Sequence, residues 1–471
     1  MRRCLGCASA LLLSLTVAGC SLEREDDARG PVPSTSAATV DGEGSLRIEH
    51  AAEPQLFRAG DGLLLLAART TDDGPRGPVL AATLDGDAWS APEEISTPGT
   101  TTSPPRAAFN DAGAGVAVWT ELTAGDDAME APVRTVARVR GTDGAWSDAQ
   151  VLRGISYVND VQVNAAGDVA VLGLSDEGAP ILALGSAAGS WTTSDLDWYA
   201  ETRIALDEHG GVHAIATSTE RGGGGAVTTH YLPPGGVWTA PEAVDAEGVS
   251  TEGSQIVALP GGGEAIVIGT VSPNWQSTFD TQFYWTTAYE VRQRASRDEP
   301  FAEVWAKDGA TQLQTRVVGG AVEVAWLGLA DSKQVAGAEG PVTAPTTEVL
   351  TTARLGGDEQ VLAQTEVEQE NDDSRGGIAL APGSGCGARS WVWRPFAVDG
   401  VPAALAVRAG DLEATYPVVG APLAPGLSGA LACAGGDRPW VARVDDAVRA
   451  GSEETDDVRV TDATVVVAAL R

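Results

Sequence analysis

The chain has 471 residues, 43% of them apolar, with 31 Lys and Arg against 65 Asp and Glu, a formal charge of −34 and a pI near 4.3. So acidic a chain excludes nucleic acid as a partner, because phosphate-backbone binding needs a basic footprint. The apolar fraction allows a sizeable core, in one large repeat domain or in two or three ordinary ones.

Residues 1–19 read as a removable export signal, with Arg2 and Arg3 ahead of an apolar stretch from Leu5 to Val17 that holds Leu11, Leu12, Leu13 and Leu15. That stretch is shorter than the roughly twenty apolar residues a bilayer span needs. It ends in Val17-Ala18-Gly19-Cys20, which resembles the lipobox of bacterial lipoproteins. The resemblance implies that the Cys20 thiol is acylated and becomes the first residue of the mature chain. The protein would then sit outside the cytoplasm, held to the membrane of the bacterial cell envelope by that lipid. Residues 20–44 are expected to be this lipidated cysteine and a disordered tether, since they hold Glu23, Glu25, Asp26, Asp27, Pro31 and Pro33 and almost no large apolar side chain.

From residue 45 to 471 the sequence repeats. A turn holding Gly, usually with Asn or Asp, leads at once into a short apolar strand: Asn110-Asp111-Ala112-Gly113 before Val116–Trp119, Asn164-Ala165-Ala166-Gly167 before Val169–Leu172, and Asp207-Glu208-His209-Gly210 before Val212–Ile215. Looser copies precede Leu63–Leu66, Ala265–Ile268, Val322–Trp326, Trp391–Trp393 and Trp440–Ala442, making eight. Gly suits these turns because it adopts positive φ without steric cost. A second element, a Gly-rich turn followed by Trp and Ser or Thr, alternates with the first at Trp89, Trp146, Trp191 and Trp238.

With a further strand-like segment between the two elements, each unit reads as four short strands. Continuous apolar runs such as Leu63–Leu66 require burial on both faces, which blades packed face to face around an axis provide better than a β-sandwich array. The fold expected is all-β, a β-propeller of four-stranded blades about 53 residues each. Eight copies give eight blades, or seven if one copy closes another blade. The four tryptophans at one repeat position are expected to pack between blades, whereas Trp198, Trp275, Trp285 and Trp391 stand outside that register and are candidates for exposed aromatics.

Signs of chemistry are sparse. The Trp element, clearest in Asp143-Gly144-Ala145-Trp146, resembles the Asp-box of sialidase-like propellers, and Phe57-Arg58 in the first blade is similar to the arginine strand of sialidases, with Ala59-Gly60 where that family has Ile-Pro. The resemblance implies that Arg58 faces the axis and pairs with a carboxylate, with Arg389 and Arg438 as further guanidinium groups, Tyr416 as nucleophile and Asp72 or Asp73 as acid. No local motif fixes these roles, so no catalytic residue is assigned and Arg58, Arg389 and Arg438 are taken as ligand-binding candidates. His209 and His213 have a zinc-compatible spacing but flank a turn entering a strand. No calcium loop, phosphate loop or nucleophile elbow occurs, and no metal or cofactor is expected. The reading favoured is a non-catalytic, tethered propeller binding a protein or glycan; the alternative is a divergent sialidase-like glycoside hydrolase or lyase.

Two cysteines remain once Cys4 and Cys7 leave with the signal and Cys20 carries lipid: Cys386 and Cys433. They head similar segments, Arg389-Ser390-Trp391-Val392 and Arg438-Pro439-Trp440-Val441, in successive blades. Export to an oxidising compartment predicts that they form a disulfide, provided their Cα atoms come within about 7 Å.

Overall fold

A computed structural model describes residues 38–40, 44–71, 76–98, 101–122, 133–186, 190–196, 198, 201–219, 225–244, 254–271, 287–337, 340–366, 379–394, 404–417, 429–435, 438–450 and 459–470. Cys20, Asp72, Asp73, Trp275 and Trp285 lie outside the described residues. Apart from one 3-10 turn at Pro260–Gly262, every named element among the described residues is a strand.

The strands pair antiparallel, mostly in chain order. Blade one comprises Ala51–Ala59, Gly62–Arg69, Val79–Asp85 and the short outer pieces Ala88–Trp89 and Glu93–Glu94. Blade two has Arg106–Phe109 with Thr101–Thr102 on its inner edge, then Gly115–Leu122, Val133–Arg140 and Gln150–Leu152. Blade three runs Tyr157–Val163, Val169–Leu174, Pro180–Gly185, Trp191–Asp195, and blade four Glu201–Leu206, Val212–Thr219, Gly225–Leu232, Glu242–Val244.

Blades five and six share one seven-stranded sheet. Its middle strand, Ala302–Val318, closes blade five against Thr287–Arg294 and then opens blade six against Ala321–Gly337. Gln255–Leu259 and Gly263–Val271 complete blade five, and Gly340–Arg354 and Glu359–Glu366 complete blade six. Blade seven is Ala379–Pro382, Ser390–Arg394, Ala404–Ala409 and Leu412–Pro417. Blade eight joins Gly429–Ala434, Arg438–Ala450 and Arg459–Ala469 to Leu46–Glu49, so a strand from near the start of the chain completes the last sheet. Ala38–Val40, inside the stretch expected to be tether, adds one more strand by pairing with Leu46–Glu49.

The blade count is fixed by packing as well as by pairing. Among the described residues the buried apolar side chains fall into eight clusters, and each joins two consecutive blades, the last joining blade eight to blade one. Second strands feed both neighbours: Leu63 and Leu65 enter the cluster shared with blade eight, Leu64 and Leu66 the one shared with blade two. Alternate side chains of a strand point to opposite faces, and all four leucines are fully buried. This is the two-faced burial that the apolar runs require, and each such leucine contributes about 1.5–3 kcal/mol.

The repeated turns are the hairpins between the first and second strand of each blade. In three of them one side chain organises the turn the same way: Oδ1 of Asn110, Asn164 and Asp207 accepts the amides two and four residues on. Gly113, Gly167 and Gly210 take φ of 81°, 85° and 85° there, and a Cβ on Gly113 would meet Ala59 of the neighbouring blade at 3.0 Å. The turns also bond to one another. The Gly60 amide donates to Asp111 O, Asn110 Nδ2 to Asn164 O, Asn164 Nδ2 to Asp207 O, and the Gly435 amide to Asp61 O. The motif therefore both makes the hairpins and ties successive blades together.

The tryptophans of the second element join the inter-blade clusters as expected: Trp89 meets Trp440 edge to face at 6.1 Å, Trp146 meets Phe109, and Trp191 and Trp238 pack against their own clusters. Trp391 is a correction to the expectation of exposure. It is fully buried between blades six and seven, because it opens a second strand whose two faces are both covered. Trp198 is half-buried and stacks on His230 at 3.9 Å.

Cys386 and Cys433 form a disulfide with Cα atoms 4.9 Å apart, inside the cluster between blades seven and eight. The blade-seven turn is long enough to reach along the first strand of blade eight, where the Ser384 amide donates to Leu431 O and Ser384 O accepts from the Cys433 amide.

Candidate functional site: the axial channel

The first strands of the blades stand side by side around the axis and line a channel with two lobes. Along these strands Ile204, Ile256 and Leu313 are buried between blades. On blades three to six the polar residues Asn159, Asp160, Gln162, Arg203, Gln255, Gln312, Gln314 and Arg316 border a cavity of about 750 Å³, with Ala205, Val257 and other apolar residues of the same strands between them. On blades one, two, seven and eight, Phe57, Ala108, Phe109, Ala381, Pro382 and Ala430, with the polar Gln55 and Ser384, border a second cavity of about 480 Å³. Gln162 lines both.

The polar wall is held in place by its own bonds. Arg203 donates to Glu201 Oε1 at 2.7 Å and to Thr202 O at 3.2 Å. Gln255 donates to Leu313 O at 2.7 Å while its carbonyl oxygen accepts from the Thr315 amide and hydroxyl, tying blade five to blade six. Arg316 Nε donates to Glu323 Oε2 at 2.7 Å, and the guanidinium lies 4.8 Å from the Trp391 ring centre. The Asp160 carboxyl accepts from Gln162 Nε2 at 2.9 Å and from the Ile204 amide at 3.3 Å. Burial raises its pKa above the ordinary aspartate value, outweighing those hydrogen bonds and the charge of Arg203. Side chains fixed in this way present donors and acceptors to a ligand without first being ordered.

The three arginines singled out from sequence are not brought together. Arg58 lies on the innermost strand of blade one, but its Nε donates to Gly60 O at 3.1 Å and its Nη1 donates to Gly385 O at 3.4 Å, against the blade-seven turn. Arg389 sits at φ 61°, its amide donating to Glu323 Oε1 at 2.9 Å, beside a cleft of about 610 Å³ between blades six and seven that Arg354, Asp358 and Asp411 also line. Arg438 is exposed, paired with Asp87 of blade one at 2.9 Å and lying over Trp440. Tyr416 packs beneath the Arg443 guanidinium, and burial, opposed by that charge, raises its pKa. The guanidinium cluster that the sialidase resemblance implies is thus not assembled from these residues.

His209 is exposed on its turn, whereas His213 is fully buried and bonds Glu264, so the two do not form a pair. Among the described residues no group of three or more His, Cys, Asp or Glu could hold a metal ion.

Two features escaped the sequence reading. The channel wall has a visible signal in the alternation Gln312-Leu313-Gln314. The second feature is a buried ionic network between blades four and five, joining His213, Glu264 and Arg294. It carries no local signal, because His213 and Glu264 are 51 residues apart.

The sequence matches no family model and no curated protein. Among solved structures, the chain is similar to the BP39L lectin from Burkholderia pseudomallei, at 10% identity and TM-score 0.45 over 79% of this chain and 99% of that one. It is also similar to the β-propeller domain of the Trilobed protease from Pyrococcus furiosus, at 7% identity and TM-score 0.44 over 78% and 94%. A third similarity, to a mutant of the NanB sialidase from Streptococcus pneumoniae, has 9% identity and TM-score 0.36 over 59% of this chain and 65% of that one. The assignment of a propeller rests on the strand pairing and the eight inter-blade clusters of this chain.

Proposed function

We propose that this chain is a lipid-anchored, extracytoplasmic binding module whose ligand, a protein segment or a glycan, sits in the axial channel and is bound without being chemically changed. The observation that carries the reading is the polar wall of blades three to six, where amide, guanidinium and carboxyl groups converge on one cavity and are held by neighbouring blades. Such a constellation recognises a neutral or mixed-charge polar ligand by hydrogen bonds. Screening the purified protein on glycan and surface-protein arrays tests this. Retention of a ligand that Arg203→Ala weakens supports the reading, and retention that Arg203→Ala leaves unchanged counts against it.

The anchor is tested separately. Cys20→Ser is expected to move the protein from the membrane fraction to the soluble fraction, measured by fractionating expressing cells. A wild-type protein already soluble and unmodified at Cys20 would contradict lipidation.

A further inference from the structure

The two lobes of the channel differ in chemistry, and a ligand that fills both must differ along its length in the same way. The polar lobe offers carboxamides from Gln162 and Gln314, a group that donates and accepts, the pair of functions a peptide group presents. The other lobe offers two phenyl rings 4.9 Å apart, from Phe57 and Phe109, together with Ala108, Ala381, Pro382 and Leu431. Two of its polar groups are partnered within the protein: Gln55 Nε2 donates to Pro105 O, and Ser384 Oγ accepts from the Arg58 amide. A large aliphatic or aromatic side chain seated against the two phenyl rings gains from leaving water. The formal charge of −34 also repels acidic ligands and favours neutral or basic ones.

We propose that the channel takes an extended, non-acidic peptide segment of a partner protein, with its main chain along the polar wall and one large apolar side chain in the lobe between Phe57, Phe109 and Pro382. The proposal rests on the axial channel being the ligand site.

The test is an array of short immobilised peptides in matched sets, with Leu, Phe or Ser at the centre and Lys or Glu in the flanks, probed with the full protein beside a glycan array. Leu and Phe peptides with Lys flanks should be retained about tenfold or more over their Ser counterparts, the value of one large apolar group in a pocket. Ala108→Trp and Ala381→Trp, which fill the lobe from different blades, should abolish that preference. Melting temperature serves as a folding control, and either variant suffices if the other fails to fold. Retention indifferent to the central residue, or a preference that survives both substitutions, would overturn the lobe assignment. Retention of glycans and of no peptide would overturn the peptide assignment while leaving the channel as the site, provided Arg203→Ala weakens it. Retention of neither class would overturn both this proposal and the reading beneath it.

Discussion

Replacing Glu264 with leucine is expected to lower the free energy of unfolding by about 3–5 kcal/mol, the usual cost of removing one partner from a buried ionic network. The Glu264 side chain is fully buried where blade five meets blade four. Its Oε2 faces His213 Nδ1 at 2.5 Å, and its Oε1 accepts from Arg294 Nε at 2.7 Å. His213 Nε2 in turn faces Asp207 Oδ2 at 3.5 Å, and Asp207 organises the blade-four turn. Leucine would leave the buried imidazole facing hydrocarbon. It would leave Arg294 only the half-exposed Glu242, at 2.7 Å, as a carboxylate partner.

The loss should depend on pH with a definite sign. Burial pushes the Glu264 carboxyl up, but the hydrogen bond and charge of His213 and the contacts of Arg294 outweigh it, so the folded-state pKa lies below the ordinary glutamate value. A group depressed in the folded state contributes stability above its unfolded pKa and loses it as pH falls through the folded value. Urea unfolding of wild type and Glu264→Leu should therefore show a full gap at neutral pH that narrows under acid. A gap that widens as pH falls would contradict the network.

Removing the disulfide is the second large effect. Cys386→Ser with Cys433→Ser opens a loop of 47 residues, and the chain-entropy estimate for that length is about 4 kcal/mol. The bridge joins blade seven to the first strand of blade eight, the blade that Leu46–Glu49 completes from near the start of the sequence. The double variant should melt well below wild type under oxidising conditions and match reduced wild type. Intact mass after alkylation of the denatured, non-reduced protein should show both thiols blocked by the bridge, and two labelled thiols would contradict it.

How much of this was legible depends on how local the cause is. The hairpin turns were readable because Asn110, Asn164 and Asp207 act within four residues of themselves, and the Gly that follows supplies the positive φ. The apolar runs gave two-sided burial for the same reason, and two-sided burial at eight places left few architectures. The merging of blades five and six was not readable, because Ala302–Val318 changes partners in mid-strand with no turn to mark it.

Arg389 and Arg438 occupy the same place in the repeat and looked equivalent. The blade-seven turn is longer than its counterpart and folds along blade eight, so one arginine borders an inter-blade cleft and the other an exposed ion pair. The channel wall lay between these extremes. Its alternation is written in Gln312, Gln314 and Arg316, but which face meets the axis depends on that stretch being an innermost strand, a property of the whole ring.

A ligand seated in the axial channel would touch the innermost strands and leave the outer ones in solvent. Hydrogen–deuterium exchange of the full protein, with and without the ligand that the arrays retain, tests this most directly. Binding should slow exchange in the first strands of blades three to six, over residues 157–163, 201–206, 255–259 and 310–318, and leave the outer strands unchanged. Protection confined to the outer strands and their turns, with none in those four segments, would contradict it.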